Sequence, residues 1–503
     1  MQVCPGLGRH VSLRTLLPGA EFVAAGNVEV TGDMEVTGCT CDSRRVRPGD
    51  LFVALPGVDC DGHDFIAEAA ARGCSAVVAG RRLSDVALPV CVVSDPRDAF
   101  GRICQALAGN PSYAMKVVGI TGTNGKTTTA CLAAGVLAKA AHRVGLLGTV
   151  GYFDGEEAEE SAWTTPPADV LADWLRRMQH NGCSHAVMEV SSHALDQARV
   201  AGVRFDAACL TNVTRDHLDY HATIGDYRAA KSKLFDSLPG EAFAVINADD
   251  PASTEYLRRL DGPVLTVGIH SAAEITATPI EQLINEQTFL LTAGTETVPV
   301  RTQMIGQHHV YNCLVAAAVG LTYGVDLPTI ARGLEAAGHV PGRLERLECG
   351  QPFGVFVDYA HTPDALQGSL RTLREVTRGR LICVFGAGGD RDRQKRPLMA
   401  RAVENGADLA VVTNDNPRTE DPEAIIRQTV AGFRNSIPVE IIPDRAEAIG
   451  YALSMAEPGD CVLIAGKGHE TEQIIGDDHT AFDDCEVASQ WLYEVQPYAE
   501  VSN

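Results

Sequence analysis

Lys126 and Thr127 stand directly behind the glycine turn of TGTNGKTT (121–128), and a carboxylate, a histidine and a second lysine follow at Glu189, His217 and Lys231. A lysine and a hydroxyl at that place are the residue types that hold a polyphosphate. Backbone N–H groups at a helix N-terminus face the anion, the lysine adds a mobile positive charge, and the hydroxyl can ligate magnesium. The strict pattern G-x-x-x-x-G-K-[ST] is not met, because Ile120 occupies the place of its first glycine. The context is met. VVGI (117–120) ends an apolar strand and TTTACLAAGVLAKAA continues as a helix, so Gly122, Thr123, Asn124, Gly125, Lys126, Thr127 and Thr128 are candidate phosphate-loop residues. A glycine turn with a surface lysine would need neither flank.

The other chemistry-bearing stretches are weaker one by one. VMEVSSHALDQAR (187–199) reads as a strand ending in Glu189 and then a Ser-Ser-His loop; a carboxylate there can hold magnesium, and a structural turn is the competing reading. LTNVTRDHLDYH (210–221) places Asp216, His217 and His221 after a second strand. Zinc would need further ligands at defined spacing, and His217 fits a structural role or a magnesium site equally. Lys231, in YRAAKSKLF, has the helical spacing of a solvated lysine. His308 and His309 are adjacent and point apart on a helix, which makes a poor metal pair. Cys39 and Cys41 lack the second pair of a zinc finger, and Arg391 stands where G-x-G-x-x-G needs its last glycine, which removes a dinucleotide reading of GAGGDR.

Elements that alternate strand and helix must position these residues, so an α/β fold with parallel sheets and helical crossovers is expected. A chain of 503 residues suggests about three domains. GNPSYAMK and AAGHVPGRLE break the pattern, giving 1–112, 113–339 and 340–503: an N-terminal domain, a central phosphate-loop parallel-sheet domain and a C-terminal Rossmann-like domain. Hydrophobic and charged contents of 45% and 21% suit a globular enzyme, and a net charge of −23 argues against nucleic acid or an anionic membrane as partner. Anionic substrates would then need magnesium and clustered basic residues locally. No apolar run approaches a bilayer span of about 20 residues, and the first residues lack a signal-peptide core, so a cytoplasmic protein is expected. The odd total of fifteen cysteines, many inside apolar runs, reads as reduced thiols.

Taken in order, T-G-T-N-G-K-T-T, E-V-S-S-H, T-N-V-T-R-D-H-L-D-Y-H, A-K-x-x-L-F, D-Y-A-H-T-P-D-A-L and G-K-G-H-E resemble the Mur ligases across all three domains, most closely their UDP-N-acetylmuramoyl-tripeptide synthetase branch. The resemblance implies an ATP-dependent amide ligase of peptidoglycan synthesis that extends UDP-N-acetylmuramoyl-L-alanyl-D-glutamate through an acyl phosphate, working as a monomer on small molecules. It implies that Lys126 cradles the ATP phosphates, that Thr127 and Glu189 serve magnesium, and that His217 and a carbamylated Lys231 belong to a second metal site. Asn312, Arg343 and Asp358 look like contacts to the ATP base and ribose, although an asparagine early in a helix can also serve as its cap. Cys41 and Ser43 of CDSR, with the start of VDCDGHDF, are similar to the family's uridine side. Thr164, Thr165, Ser191, Gln197 and Arg199 match its muramoyl-dipeptide contacts.

The added residue is addressed by DNPR (415–418), which follows an apolar strand. Asn-Pro there is ordinary turn chemistry. The motif also resembles the signature of the meso-diaminopimelate-adding branch, with Arg391, Gly466 and Glu470 completing its pocket. The physics agrees: Asp415, Asn416, Pro417 and Arg418 would meet the far end of the diamino acid, Arg418 gripping a second carboxylate that lysine lacks. A site built around such a group can reject the analogue without it by ~10⁴-fold. A lysine-adding synthetase, a folylpolyglutamate-synthetase-like ligase and a non-catalytic nucleotide-binding scaffold are the rival readings.

Overall fold

The computed structural model describes residues 11–23, 35–57, 60–83, 86–434 and 436–495. Three large sheets follow one another along the described chain, beside two two-stranded ones, Val11–Ser12 with Glu35–Val36 and Glu472–Ile475 with Asp478–Ala481. The first has five strands in the order Glu21–Val23, Val90–Val92, Ala76–Ala79, Leu51–Val53 and Cys39–Thr40, parallel except for the first pair. The second has eleven strands between Lys116 and Thr302, and the third has six between Glu345 and Ala465.

The eleven-stranded sheet is parallel only in its middle. Seven strands run parallel from Val144–Gly148 to Ile275–Gln282, with antiparallel strands at both flanks. The physical reason lies in the residues. Runs such as VVGI and AACL are apolar throughout and are covered by helices on both faces, whereas QTFLLTA and ETVPVRT alternate, leave one side to water and are joined by short turns. The strand Lys116–Thr121 lies between His185–Glu189 and Ala207–Leu210, the point at which successive strands begin to fill the opposite side of the sheet. Ligands bind at the carboxyl ends of strands at such a switch. Glu189 pairs with Ile120 there, one residue before the glycine loop departs.

Two cores sandwich this sheet. Val118, Ile120, Val187 and Val245 pack under the helices Lys126–Lys139, Gln307–Thr322 and Leu327–Ala336; Val117, Met188, Leu210 and Ile246 pack under Ala168–His180 and Ile224–Asp236 with buried Trp174. The six-stranded sheet repeats the plan, with Leu463 and Phe385 on one face and Ile464 and Val384 on the other. Among the described residues fourteen cysteines are free, and no helix is long and apolar enough to cross a membrane. The first ten residues, and Val58 and Asp59 of the VDCDGHDF segment, lie outside the described residues.

Candidate active site

The glycine loop leaves its strand at Thr121 and enters the helix at Lys126, with Gly125 as N-cap at φ 83°. A Cβ on Gly125 would collide with Asn312 Oδ1, so the close approach as well as the left-handed backbone requires glycine. Asn212 clamps the loop from the neighbouring strand: its Oδ1 accepts from Asn124 N and its Nδ2 donates to the Asn124 carbonyl, both at 3.0 Å. Lys126 Nζ donates to the carbonyls of Gly122 and Thr123 at 2.9 Å. Thr127 Oγ1 donates to Glu189 Oε2 at 2.9 Å, and the carboxylate also accepts from Thr149 N at 2.6 Å. Thr127 and buried Glu189 thus form an oxygen-donor pair of the kind a hard divalent cation takes.

These groups wall a cavity of about 390 Å³ that also takes in Thr164, Ser191, His217, Asn312, Arg343 and Asp358. Asn312 lies inside the helix Gln307–Thr322, whose N-cap is Gly306, so the capping alternative does not hold. Its Oδ1 accepts from Thr129 at 3.3 Å. Arg343 reaches from the beginning of the third sheet's segment to donate to Thr127 Oγ1 at 2.9 Å, its guanidinium 4.6 Å over the Tyr359 ring. Asp358 ends the strand Gly354–Asp358 and accepts from Leu344 N, Ala360 N and Ser369; burial raises its carboxyl against those bonds and against Arg343.

Lys231 overturns the expectation of a solvated helical lysine. It is 1% exposed, its Nζ donates to the Gly122 carbonyl at 2.8 Å, and it lies 4.4 Å from the Tyr227 ring centroid. Burial first, then the charge of Lys126, push its ammonium well below the ordinary lysine value. His217 sits at φ 54°, a strained backbone for a residue with a side chain, and burial drives its imidazole toward the neutral form although Asp216 pulls the other way. Among the described residues no three His, Cys, Asp or Glu side chains converge as metal ligands, so the zinc reading of Asp216, His217 and His221 has no assembled site.

The expected Ser-Ser-His loop is a short helix, Ser192–Asp196, because Ser191 caps it by accepting from Ala194 N at 3.2 Å. One network joins the residues expected on the muramoyl side. Thr165 Oγ1 donates to the Glu189 carbonyl at 2.8 Å and accepts from Ser191 N at 3.0 Å, while Arg199 donates to the Thr165 carbonyl and to Gln197 Oε1, both at 2.8 Å. Cys41 and Ser43 lie in the first sheet's region, apart from this cavity; Ser43 Oγ donates to Glu68 at 2.7 Å.

A second cavity of about 70 Å³ opens against the third sheet and shares Asp216, His217, Tyr359 and His361 with the first. Arg391, Asp415, Arg418, Gly466 and Glu470 line it, whereas Asn416 and Pro417 stand behind its wall. Arg418 also has φ 54°, and its Nη1 donates to the Gly389 carbonyl at 2.8 Å. Burial raises the Asp415 carboxyl, but Arg445 and Lys467 outweigh it and hold the group below its usual range; burial and Asp415 together raise Glu470. Sequence reasoning did not single out Asn212, Thr149, His361, Lys395 or Lys467. Asn212, His361 and Lys467 lie within motifs it quoted, where each looks like turn or strand-end punctuation.

Family models match three consecutive segments: Mur ligase family, catalytic domain, over 35–104; Mur ligase middle domain over 120–320; and Mur ligase, glutamate ligase domain, over 342–468. The chain is 46% identical over 464 residues to the UDP-N-acetylmuramoyl-L-alanyl-D-glutamate--2,6-diaminopimelate ligase of Geobacillus thermodenitrificans, covering 91% of this chain and 95% of that one. It is 41% identical to the protein of the same name from Geobacter metallireducens, covering 90% and 93%. A solved structure of a ligase of that name superposes with a TM-score of 0.69 at 31% identity, over 98% of this chain and 100% of the other. The MurF ligase of Thermotoga maritima in complex with ADP shares the fold, with a TM-score of 0.60 at 20% identity over 91% and 96%.

Proposed function

The chain belongs to the Mur ligase family, and from that premise we propose how its two joined cavities divide the work of an ATP-dependent ligase. The reaction adds meso-2,6-diaminopimelate to UDP-N-acetylmuramoyl-L-alanyl-D-glutamate in peptidoglycan synthesis; the relatives' names state the UDP-linked dipeptide and 2,6-diaminopimelate for them. The larger cavity takes ATP. Lys126 and the loop N–H groups receive its phosphates, and Asn312, Arg343 and Asp358 receive its base and ribose. The network of Thr165, Ser191, Gln197 and Arg199 holds the muramoyl dipeptide, with Cys41 and Ser43 toward its uridine end. The smaller cavity takes the incoming amino acid. The observation that supports this division most directly is the shared wall of Asp216, His217, Tyr359 and His361, where an activated carboxylate held in one cavity would meet an amine held in the other.

A carboxylate is a poor electrophile, and its attack on ATP brings two anions together, so positioning and charge neutralisation are what the protein must supply. Thr127 and Glu189 offer the oxygen donors for magnesium, which when bound neutralises phosphate charge. A buried lysine with a depressed ammonium carries the free amine that carbamylation needs, which supports carbamylated Lys231, with His217, as further ligands. The reading includes a monomer acting in the cytoplasm.

Phosphate release from ATP, with magnesium and UDP-N-acetylmuramoyl-L-alanyl-D-glutamate, tests this with meso-diaminopimelate and L-lysine in parallel. Turnover with diaminopimelate alone is expected. Turnover with lysine would overturn the role given to Arg418, and silence with both would favour a nucleotide-binding scaffold.

A further inference from the structure

Lys467 is 0% exposed, yet it lies outside the lining of either cavity. It follows Gly466, whose φ of 121° turns the chain at the end of the strand Cys461–Ala465, and it points back under the floor of the smaller cavity. There its Nζ donates to Asn416 Oδ1 at 2.9 Å, to the Glu472 carbonyl at 2.5 Å and to Glu470 Oε2 at 3.4 Å. Ile474 N donates to the same Asn416 oxygen at 3.0 Å. Two donors on one oxygen leave no freedom in the carboxamide: Oδ1 must face Lys467 and Ile474 N, so Nδ2 is the atom left to face Glu470. It donates to Glu470 Oε2 at 2.8 Å. Oε2 of Glu470 is therefore held from below by both residues, and Oε1 is the acceptor left to the cavity that Glu470 lines.

A lysine is the residue type this layer requires. It has three N–H donors and no acceptor, so it cannot tolerate the flipped amide, and a basic side chain suits the floor beneath buried Asp415 and half-buried Glu470. Each of its three N–H donors has a partner.

We infer that Lys467 is a positioning residue for acceptor selection: through Asn416 it fixes the Glu470 carboxylate in the orientation that receives the amine of the incoming diamino acid. Lys467 does not touch the amino acid itself. The inference rests on the reading of the smaller cavity as the acceptor site.

The test is steady-state kinetics of the full-length enzyme with Lys467→Met, Glu470→Gln and the double variant, varying each substrate in turn. Loss of a charged hydrogen bond predicts a rise of about 10- to 100-fold in KM for meso-diaminopimelate. A positioning role also predicts KM values for ATP and the UDP-sugar dipeptide within about 2-fold of wild type, and a double variant no worse than Glu470→Gln alone within about 2-fold, since residues acting through one another are not additive. Additive losses, an unchanged KM for diaminopimelate, or equal losses for all three substrates would each overturn the proposal. If Lys467→Met does not fold, Asn416→Ala breaks the same link from the other end and is judged by the same KM pattern. Wild-type enzyme that releases no phosphate with diaminopimelate would sink the functional reading itself; active wild type with an indifferent Lys467→Met sinks only this inference.

Discussion

The two cavities meet at His217 but are made of different materials. The nucleotide cleft is centred on one contiguous loop and its backbone, N–H groups at a helix start and threonine hydroxyls, which Asn212, Asn312, Arg343 and Asp358 meet from elsewhere in the chain. The acceptor cavity is built from full charges contributed by separated segments, Asp216, Arg391, Lys395, Asp415, Arg418 and Glu470. Its scaffold is ionic as well: Arg396, fully buried, is bidentate on Glu420 and donates to the Gly388 carbonyl at 3.2 Å, and Arg445 with Asp484 braces the strand ends below Asp415 and Gly466. A phosphate chain is the same in every ATP, so backbone donors with one lysine suffice. Choosing one diamino acid over another needs charges whose partners would otherwise be left desolvated.

This difference predicts that the two cavities fail separately. Lys126→Met should lower phosphate release by about 10³-fold, because a charge aimed at the transferring phosphoryl group is lost, and calorimetry should still detect diaminopimelate binding. Weakened diaminopimelate binding in that variant would break the separation. Arg418→Ala should raise KM for diaminopimelate by about 10²-fold and erode the preference over lysine, with KM for ATP unchanged, if its guanidinium grips the second carboxylate as proposed.

The ionic scaffold should also make the acceptor side acid-sensitive. Hydrogen bonds from Arg396 hold the Glu420 carboxyl at about 2, against the burial that raises it. Its folded value lies below the unfolded value of about 4.3, so the stabilisation is complete above that pH and is lost as pH falls toward the folded value. Glu420→Gln should cost about 1–3 kcal/mol of unfolding free energy at pH 7, and its Tm deficit should shrink as pH drops from about 5 to 2. A deficit independent of pH would show that shape, and not charge, supports the loop. The smallest effect is expected for Asn312→Ala, where loss of a neutral hydrogen bond predicts a rise of roughly 5-fold in KM for ATP and none for diaminopimelate.

The nucleotide cleft was the more legible of the two. Gly122 to Thr128 are consecutive, and their strand and helix flanks follow from local apolar pattern, so the loop and a parallel sheet behind it could be anticipated. The antiparallel flanks of the large sheet were missed because strand direction depends on connection length as much as on composition. Asn312 could be mistaken for a cap because an N-cap is defined by where a helix starts, and the observed cap, Gly306, lies six residues before Asn312.

Sequence by itself determined the chemistry on offer: an α/β chain with a phosphate loop, a carboxylate at a strand end and a D-N-P-R turn, in a family order that specifies a ligase. Only the tertiary structure decided which ordinary residues are under strain or burial. Lys231 has the spacing of a surface lysine and is sealed under Gly122; Lys467 looks like a turn residue and lies beneath Asn416 and Glu470; His217 and Arg418 take left-handed backbones that no local pattern announces. The reason is that burial and hydrogen-bond partnership are set by elements far apart in the chain. Lys231 meets a carbonyl 109 residues away, and Lys467 an amide 51 residues away, and neither distance leaves a mark on the local sequence.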